Sequence, residues 1–327
     1  MPTIYDVAKR ASVSTYTVSS VINHSAYVSP ELTKRVQKAV RELDYTPNAL
    51  ARGLQTRKTR TVAMLIPDIG SPFYSRVVRG VENKLHSAGY SLMLGNTYNH
   101  PEEQSRYLTV FRSQQVEGLL MFLAAGDETE AARMVKAKKA VVFVGRAPKT
   151  FIGDTVTADN VKGTRLAIDH LIDEGHKRIA IVTGQASLST SADRVDGWRK
   201  ALRRKKLAAP ASFIGEGDWS AESGCVVARR LLEQIPSPTG IFASNFPMMT
   251  GVLRAIKEKG LRCPEDVQVV SSDDSEWLDV FRPAITTVAQ PSYAMGENAA
   301  DLLLKRMLQP SRKFETIVLT PQLHVRQ

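Results

Sequence analysis

The chain has 327 residues and 43% apolar content, enough for two or three packed domains and too apolar for a disordered chain. It has no apolar run near the roughly eighteen residues of a membrane span, no apolar core of a secretory signal at its N-terminus, and two cysteines, Cys225 and Cys263, too far apart for a Cys-based metal site; a cytoplasmic protein is expected. The formal net charge of +11 is uneven, with ten Lys/Arg against four Asp/Glu in residues 1–60, which suggests a polyanion partner or, failing that, a solvated basic face.

Three short helices can be read in that basic segment. The first starts after Thr3, with Asp6 three residues on as the second half of a capping box. Ser12 and Ser14 flank Val13 in a tight turn, and Ser14 can cap a second helix from Thr15 to about Asn23. The third opens on Ser29-Pro30, a cap followed by proline at the first helical position. Its apolar stripe includes Leu32, Val36, Ala39, Val40 and Leu43. Helix, short turn, helix and supporting helix make a helix-turn-helix pattern. In such a unit the second helix enters the DNA major groove, and small hydroxyl residues allow close approach to phosphate. The Val18, Val21 and Ile22 stripe leaves Thr15, Tyr16 and Ser20 facing outward as candidate base readers. Thr17 and Ser19 suit phosphate contacts, or else caps and local backbone bonds.

The stretch "TIYDVAKRASVSTYTVSSVIN" with "VSPELTKRVQKAVRELDYTPNALARGL" resembles the N-terminus of lactose-repressor-family transcription regulators, which include the purine repressor. The resemblance implies a dimer on a palindromic operator in double-stranded DNA, with base contacts from Thr15, Tyr16 and Ser20 and a DNA-binding role extending to Asn23. Two residues depart from the family pattern. Ser12 stands where the family has glycine, and in a left-handed conformation it would cost about 1 kcal/mol. Ser20 stands where Arg or His is frequent, and serine cannot make the bidentate guanine contact of arginine. Residues 47–54 can form a helix too short to be stable alone, weakened further by Gly53. The resemblance makes this a hinge helix that orders on DNA, with Leu54 wedged into the minor groove; an ordinary linker is the alternative.

From Thr61 the pattern turns to strand and helix in alternation. "TVAMLIP", "SLMLGN", "GLLMFL" and "AVVFVG" form one set of strands; "RIAIVTG", "SFIGEGD", "GIFASN" and "VQVVSSD" form a second. Helices are expected at about 72–88, from Pro101, and near 191–206, 220–235 and 247–259. Short continuous apolar strands between helices indicate parallel sheets covered on both faces. Neither nucleotide-binding glycine fingerprint is present. Ligands of open α/β sheets sit at strand C-terminal ends. There the sequence carries Phe73, Tyr74, Arg194, Trp219, Asn245 and Asp273. An arginine and an aspartate bordered by aromatics suit a small polar ligand. Taken singly, Asp273 could be a cap, Arg194 a salt-bridge partner, and Phe73 and Trp219 core residues.

"DEGHKRIAIVTG", "ADRVDGW", "GDWSAESG" and "RPAITTVAQPSYAMGENAADLLL" extend the family resemblance over essentially the whole chain. It implies two Rossmann-like subdomains of the periplasmic-binding-protein type behind an all-α headpiece. The implied division is a headpiece at 1–46, a hinge and linker at 47–60, and an effector-binding and dimerisation core at 61–327. Within the core, one subdomain covers about 61–160 plus 291–319 and the other about 161–290 plus 320–327. Phe73, Tyr74, Arg194, Trp219, Asn245 and Asp273 match effector-site positions. Phe246 replaces a usual carboxylate, making the pocket more apolar, and Leu188 stands near a base-reading arginine of the purine repressor. These departures favour a sugar or sugar derivative over a purine. A transporter-feeding binding protein would need an export signal and no basic headpiece, and an enzyme would need a catalytic set or cofactor loop. A homodimeric regulator, by family default a repressor, with no metal or cofactor and no membrane association, is the expected function.

Overall fold

The structure, a computed structural model, describes residues 2–23, 25–45, 59–126 and 128–326. It divides into two compact units, Met1–Arg60 and Thr61–Gln327. The expected hinge helix and Leu54 lie outside the described residues.

The first unit contains α1 (Ile4–Ala11), α2 (Thr15–Asn23) and α3 (Pro30–Glu42). The capping box at Thr3 and Asp6 is present: Thr3 Oγ1 accepts from Asp6 N at 3.4 Å, and Asp6 Oδ2 accepts from Thr3 N at 2.8 Å. Ser14 Oγ accepts from Thr17 N at 3.1 Å, capping α2, and Ser29 Oγ accepts from Leu32 N at 3.4 Å, capping α3. Val7, Val18 and Val36, one from each helix, are fully buried together. Ser12 is left-handed, at φ 52° and ψ 49°. Arg35 reaches from α3 to donate to Ala11 O at 2.6 Å and Ser12 O at 3.1 Å, supplying the donors that the end of α1 lacks.

The second unit holds two six-stranded sheets. The first has order β11-β5-β4-β3-β1-β2, the second β12-β10-β9-β8-β6-β7. Its strands are β1 (Thr61–Ile66), β2 (Ser91–Asn96), β3 (Gly118–Met121), β4 (Ala140–Val144), β5 (Asp154–Ala158), β6 (Ile179–Thr183), β7 (Ile214–Glu216), β8 (Gly240–Ala243), β9 (Gln268–Ser272), β10 (Thr286–Ala289), β11 (Thr316–Leu319) and β12 (Gln322–His324). All pairings are parallel except β10 with β12. The helices between them are α4 (Pro72–Ser87), α5 (Pro101–Ser113), α6 (Thr129–Lys136), α7 (Asn160–Asp173), α8 (Ser189–Arg204), α9 (Ala221–Leu232), α10 (Phe246–Glu258) and α11 (Ser292–Leu308). The chain crosses from the first sheet to the second after β5, returns after β10, and crosses again after β11. Strands β5, β10, β11 and β12, which carry these crossings, are the ones the apolar pattern did not reveal.

Both sheets have buried apolar strands. Val62, Met64 and Ile66 turn to one face of the first sheet, Ala63 and Leu65 to the other. Ile179 to Val182 anchor the second core, where Trp198 is fully buried and donates Nε1–H to Ile179 O at 3.0 Å. A buried ion pair fastens α11 to β5, with Arg306 Nε 2.7 Å from Asp154 Oδ2.

Candidate functional site

In the headpiece the exposed face of α2 is less uniform than its sequence suggests. Tyr16 is 72% exposed, and Thr15 is half-buried. The Thr17 hydroxyl is engaged with Ser14 Oγ at 2.9 Å, and Asn23 Nδ2 donates to Ser19 Oγ at 3.2 Å. Those two hydroxyls therefore brace the helix itself, the local use that its residue types allow. Ser20 does not face outward as expected: it is 2% exposed and its hydroxyl has no hydrogen-bond partner. Its short hydroxymethyl lies covered by its neighbours. Tyr5 and Tyr27, 73% and 91% exposed, are aromatics that the sequence reading did not single out.

In the second unit a cavity of about 100 Å³ opens between the C-terminal ends of the two sheets, several times the space that one water needs. Phe73 and Tyr74 at the start of α4, Arg194 on α8, Trp219 after β7, Asn245 after β8 and Asp273 after β9 all line it. Phe246 does not. It begins α10, and its ring packs edge-on against Trp277 at 5.2 Å, so it does not make the pocket more apolar. Its contribution is a backbone N–H to the Asp273 carboxylate.

The charged pair defines the chemistry. Arg194 is 7% exposed and Asp273 5%, yet no direct ion pair joins them among the described residues. Burial pushes the Arg194 guanidinium below its ordinary value, and the Asp273 charge opposes that shift. Burial likewise raises the Asp273 carboxyl above the usual carboxylate range, against Arg194 and the Gln290 amide. Gln290 Nε2 donates to Asp273 Oδ1 at 2.7 Å. Arg194 has a long bond to Thr190 O at 3.4 Å and lies 5.5 Å from the Trp219 ring, within cation–π range. Most of its five donors are left for a guest.

Three non-glycine positions in the wall are left-handed, Asn99, at φ 60°, among them. Asp273 has φ 70° and Trp219 φ 75°, a region that aspartate tolerates and a bulky indole does not. The surroundings hold both in place. Asn245 Nδ2 donates to Trp219 O at 2.9 Å while its Oδ1 caps α10 through Met248 N at 2.9 Å. Gly184 leaves room for the indole; a Cβ there would fall 2.1 Å from it. Asn245 is therefore as much a brace for Trp219 as a ligand group.

The sequence reading missed several cavity residues. Arg146, just after β4, is 9% exposed; it donates to Leu123 O at 2.8 Å and also to Ala124 O. Burial lowers its guanidinium too. Gln290, Asn160, Phe122 and Ser244 complete the wall. Strand-end position, the signal that exposed Asp273, also applies to Arg146 in "VVFVGR" and Ser244 in "GIFAS". Phe122 meets Tyr74 edge-on at 4.9 Å. Arg76 of α4 pairs with Glu276 at 3.1 Å, and Lys149 donates to Ser187 O, so contacts join the two subdomains at the rim.

The architecture is that of a two-lobed small-molecule receptor with a separate helix-turn-helix unit, and comparison with known proteins agrees. Residues 3–48 match the family model described as bacterial regulatory proteins, lacI family, and residues 168–327 match that of the periplasmic binding protein-like domain. The chain is 36% identical over 322 residues to the ribose operon repressor of Escherichia coli (strain K12), covering 98% of each chain. It is 34% identical over 326 residues to the HTH-type transcriptional repressor PurR of Vibrio atlanticus (strain LGP32), covering 99% of this chain and 97% of that one. A solved structure of the lac repressor dimer bound to operator and the anti-inducer ONPF matches with a TM-score of 0.86 and 30% identity, over 98% of this chain and 97% of that one. The chain belongs to the lacI family of bacterial regulatory proteins. It is a sequence-specific DNA-binding transcriptional repressor under small-molecule control. No helix among the described residues is long and apolar enough to cross a membrane.

Proposed function

We propose that residues 61–327 bind a sugar or sugar derivative, and that this ligand sets the affinity of a homodimer for a palindromic operator. The observation that carries the ligand class is the buried Arg194 and Asp273 on one cavity without a direct ion pair. A neutral polyol satisfies both, since each hydroxyl can accept from the guanidinium and donate to the carboxylate. The rings of Trp219 and Phe73 suit a pyranose or furanose face. They would also suit a base, so the aromatics do not decide. Leu188 lines the cavity and offers no hydrogen bond to a base edge. The ribose operon repressor and the repressor PurR are nearly equal in identity to this chain, so the polar pair carries more weight than either name.

Ligand binding would draw together two bodies, about 61–160 plus 291–319 and about 161–290 plus 320–327, through differential affinity for the open and closed states. On DNA, Thr15 and Tyr16 are the proposed readers. Thr17, Ser19 and Asn23 support the helix and meet phosphate, and Leu54 acts in the minor groove. Ser20 joins them only as a short hydroxyl.

A thermal-shift screen of sugars, sugar phosphates, polyols and nucleobases tests the class. A sugar hit lost in both Asp273→Ala and Arg194→Ala is the expected result. A nucleobase hit with no sugar hit would reverse it. Analytical ultracentrifugation on labelled operator should give two chains per site, and one chain per site would remove the two-fold arrangement.

A further inference from the structure

We propose that the core is itself a DNA contact: the edge of the first sheet at which its strands begin lies against phosphates of the duplex outside the operator. This does not depend on which ligand fills the cavity.

All six strands of the first sheet run parallel, so all six begin on one edge. The chain enters the core on that edge, at Thr61, directly after the unit that holds the helix-turn-helix. The starts of β3 and β4 lie one and two strands away, about 5 and 10 Å. The chain between Tyr45 and Thr61 can cover at most about 55 Å, and two turns of duplex, at about 35 Å each, are longer than that.

This edge is basic. Arg112, Lys136 and Lys305 stand in the last turns of α5, α6 and α11. Lys138 and Lys139 lead into β4, and Lys313 leads towards β11. All six are exposed, and no ion pair among the described residues includes any of them. Carboxylates on the same edge have partners of their own: Glu315 pairs with Arg312 at 2.6 Å, Asp154 with Arg306 at 2.7 Å, and Glu117 accepts from the Tyr90 hydroxyl at 3.4 Å. Basic residues in a last helical turn complement the helix dipole, which accounts for Arg112, Lys136 and Lys305. It does not account for Lys138, Lys139 and Lys313, which stand beyond the helix ends, where that effect has fallen off. Like charges gathered on one edge repel, and a phosphate backbone offsets the repulsion. The partner this repressor binds is DNA. From β3 to β11 the row covers about 14 Å, the rise of about four phosphates along one strand.

The full chain tests the contact, with a duplex that it selects from a random-sequence pool. The duplex is made as the selected site alone and as the site with about 20 bp of mixed sequence on each side, two helical turns. Fluorescence anisotropy reads affinity over a range of salt. The long duplex should bind about tenfold or more tighter, and its affinity should fall more steeply with salt, by about 0.9 in logarithmic slope for each added phosphate contact. Lys136→Gln/Lys138→Gln/Lys139→Gln should remove most of that advantage and leave the short duplex within about twofold. Arg199→Gln/Arg203→Gln/Lys206→Gln removes the same charge from exposed positions at the end of α8, in the other lobe, and should keep the advantage. Lys136→Arg/Lys138→Arg/Lys139→Arg keeps the charge and should keep it too. A long duplex that binds no tighter than the short one would overturn the proposal. Equal loss in the two Gln variants would mean a general field rather than a contact, and loss in the Arg variant would mean that the shape of the loop matters and its charge does not; either would overturn it as well.

Discussion

Asp273 illustrates how function strains a single residue. Its carboxyl is raised by burial, so between its unfolded and folded titration points the native state binds the proton more tightly. The contribution of Asp273 to native stability is then greatest at low pH and falls as pH rises through that window. The ionised form is therefore a stability cost that a ligand offsets. Asp273→Asn keeps the left-handed backbone comfortable and removes the buried charge. The free protein should melt higher at neutral pH by calorimetry, with the gain vanishing in acid. Effector affinity should drop roughly 10- to 100-fold, the value of one or two charged hydrogen bonds. An unchanged melting point at both pH values would count against the argument. Gly184→Ala should weaken effector binding by about tenfold or more without touching a polar group, since its Cβ would displace Trp219. In the headpiece, Ser12→Gly should relieve the left-handed turn by about 0.5–1 kcal/mol. Amide exchange in α1 and α3 should slow by roughly two- to fivefold. The Ser12 strain was legible only through the family resemblance, which puts glycine at that turn position and so raised a left-handed conformation that the structure shows, at φ 52°. Ser20 was misread because pattern gives the direction of a side chain around a helix but not what covers it, and Phe246 because matching a family position does not say which neighbour its ring packs on, here Trp277.

At the scale of elements, the headpiece was readable in advance because its helix starts carry their own chemistry: Thr3 with Asp6, Ser14, and Ser29 with Pro30. The buried strands β1, β3, β4, β6, β8 and β9 were readable as apolar runs, and so was β2, a part-buried edge strand. Strand β5 was not. It opens on Asp154 and contains two threonines, and its charge is tolerated because Arg306 arrives from α11 across 152 positions of sequence and Glu315 N donates to the other carboxylate oxygen. Strands β11 and β12 lie at sheet edges with alternating exposure, too short for a period to register. Helix pairing was also hidden. An isolated glycine in a helix reads as a weakness, yet Gly224 and Gly251 let α9 and α10 meet backbone to backbone. A Cβ at Gly251 would lie 2.1 Å from Ala221 O and 2.6 Å from Cys225 N. Because backbone atoms cannot yield as a flexible side chain can, Gly251→Ala should cost about 1–3 kcal/mol. Scanning calorimetry should show the core transition lowered by roughly 2–10 °C. A shift within error would mean that α10 can slide on α9 at no cost.

At the scale of the molecule, the two jobs are separated by charge. Residues 1–60 hold ten Lys/Arg against four Asp/Glu, whereas the cavity proposed for the effector encloses its charges away from solvent. Salt should therefore act on the two bindings unequally. If two headpieces together neutralise about six phosphates, raising salt from roughly 50 to 200 mM should lower operator affinity by about a thousandfold. Effector affinity for the free protein should change by less than about threefold, since buried interactions are screened weakly. The two bindings are nonetheless linked, and linkage is reciprocal: whatever factor the effector applies to operator affinity, saturating operator must apply to effector affinity. Measuring both factors at one salt concentration, by fluorescence anisotropy for DNA and calorimetry for the effector, should give the same number, on the order of 5- to 150-fold. The direction of the change identifies inducer or corepressor. Factors that disagree beyond error would mean that the effector acts on something other than the DNA-binding equilibrium, such as assembly of the dimer. Repeating the pair of measurements at several protein concentrations separates that case, because only a coupling through assembly would make the factor depend on concentration.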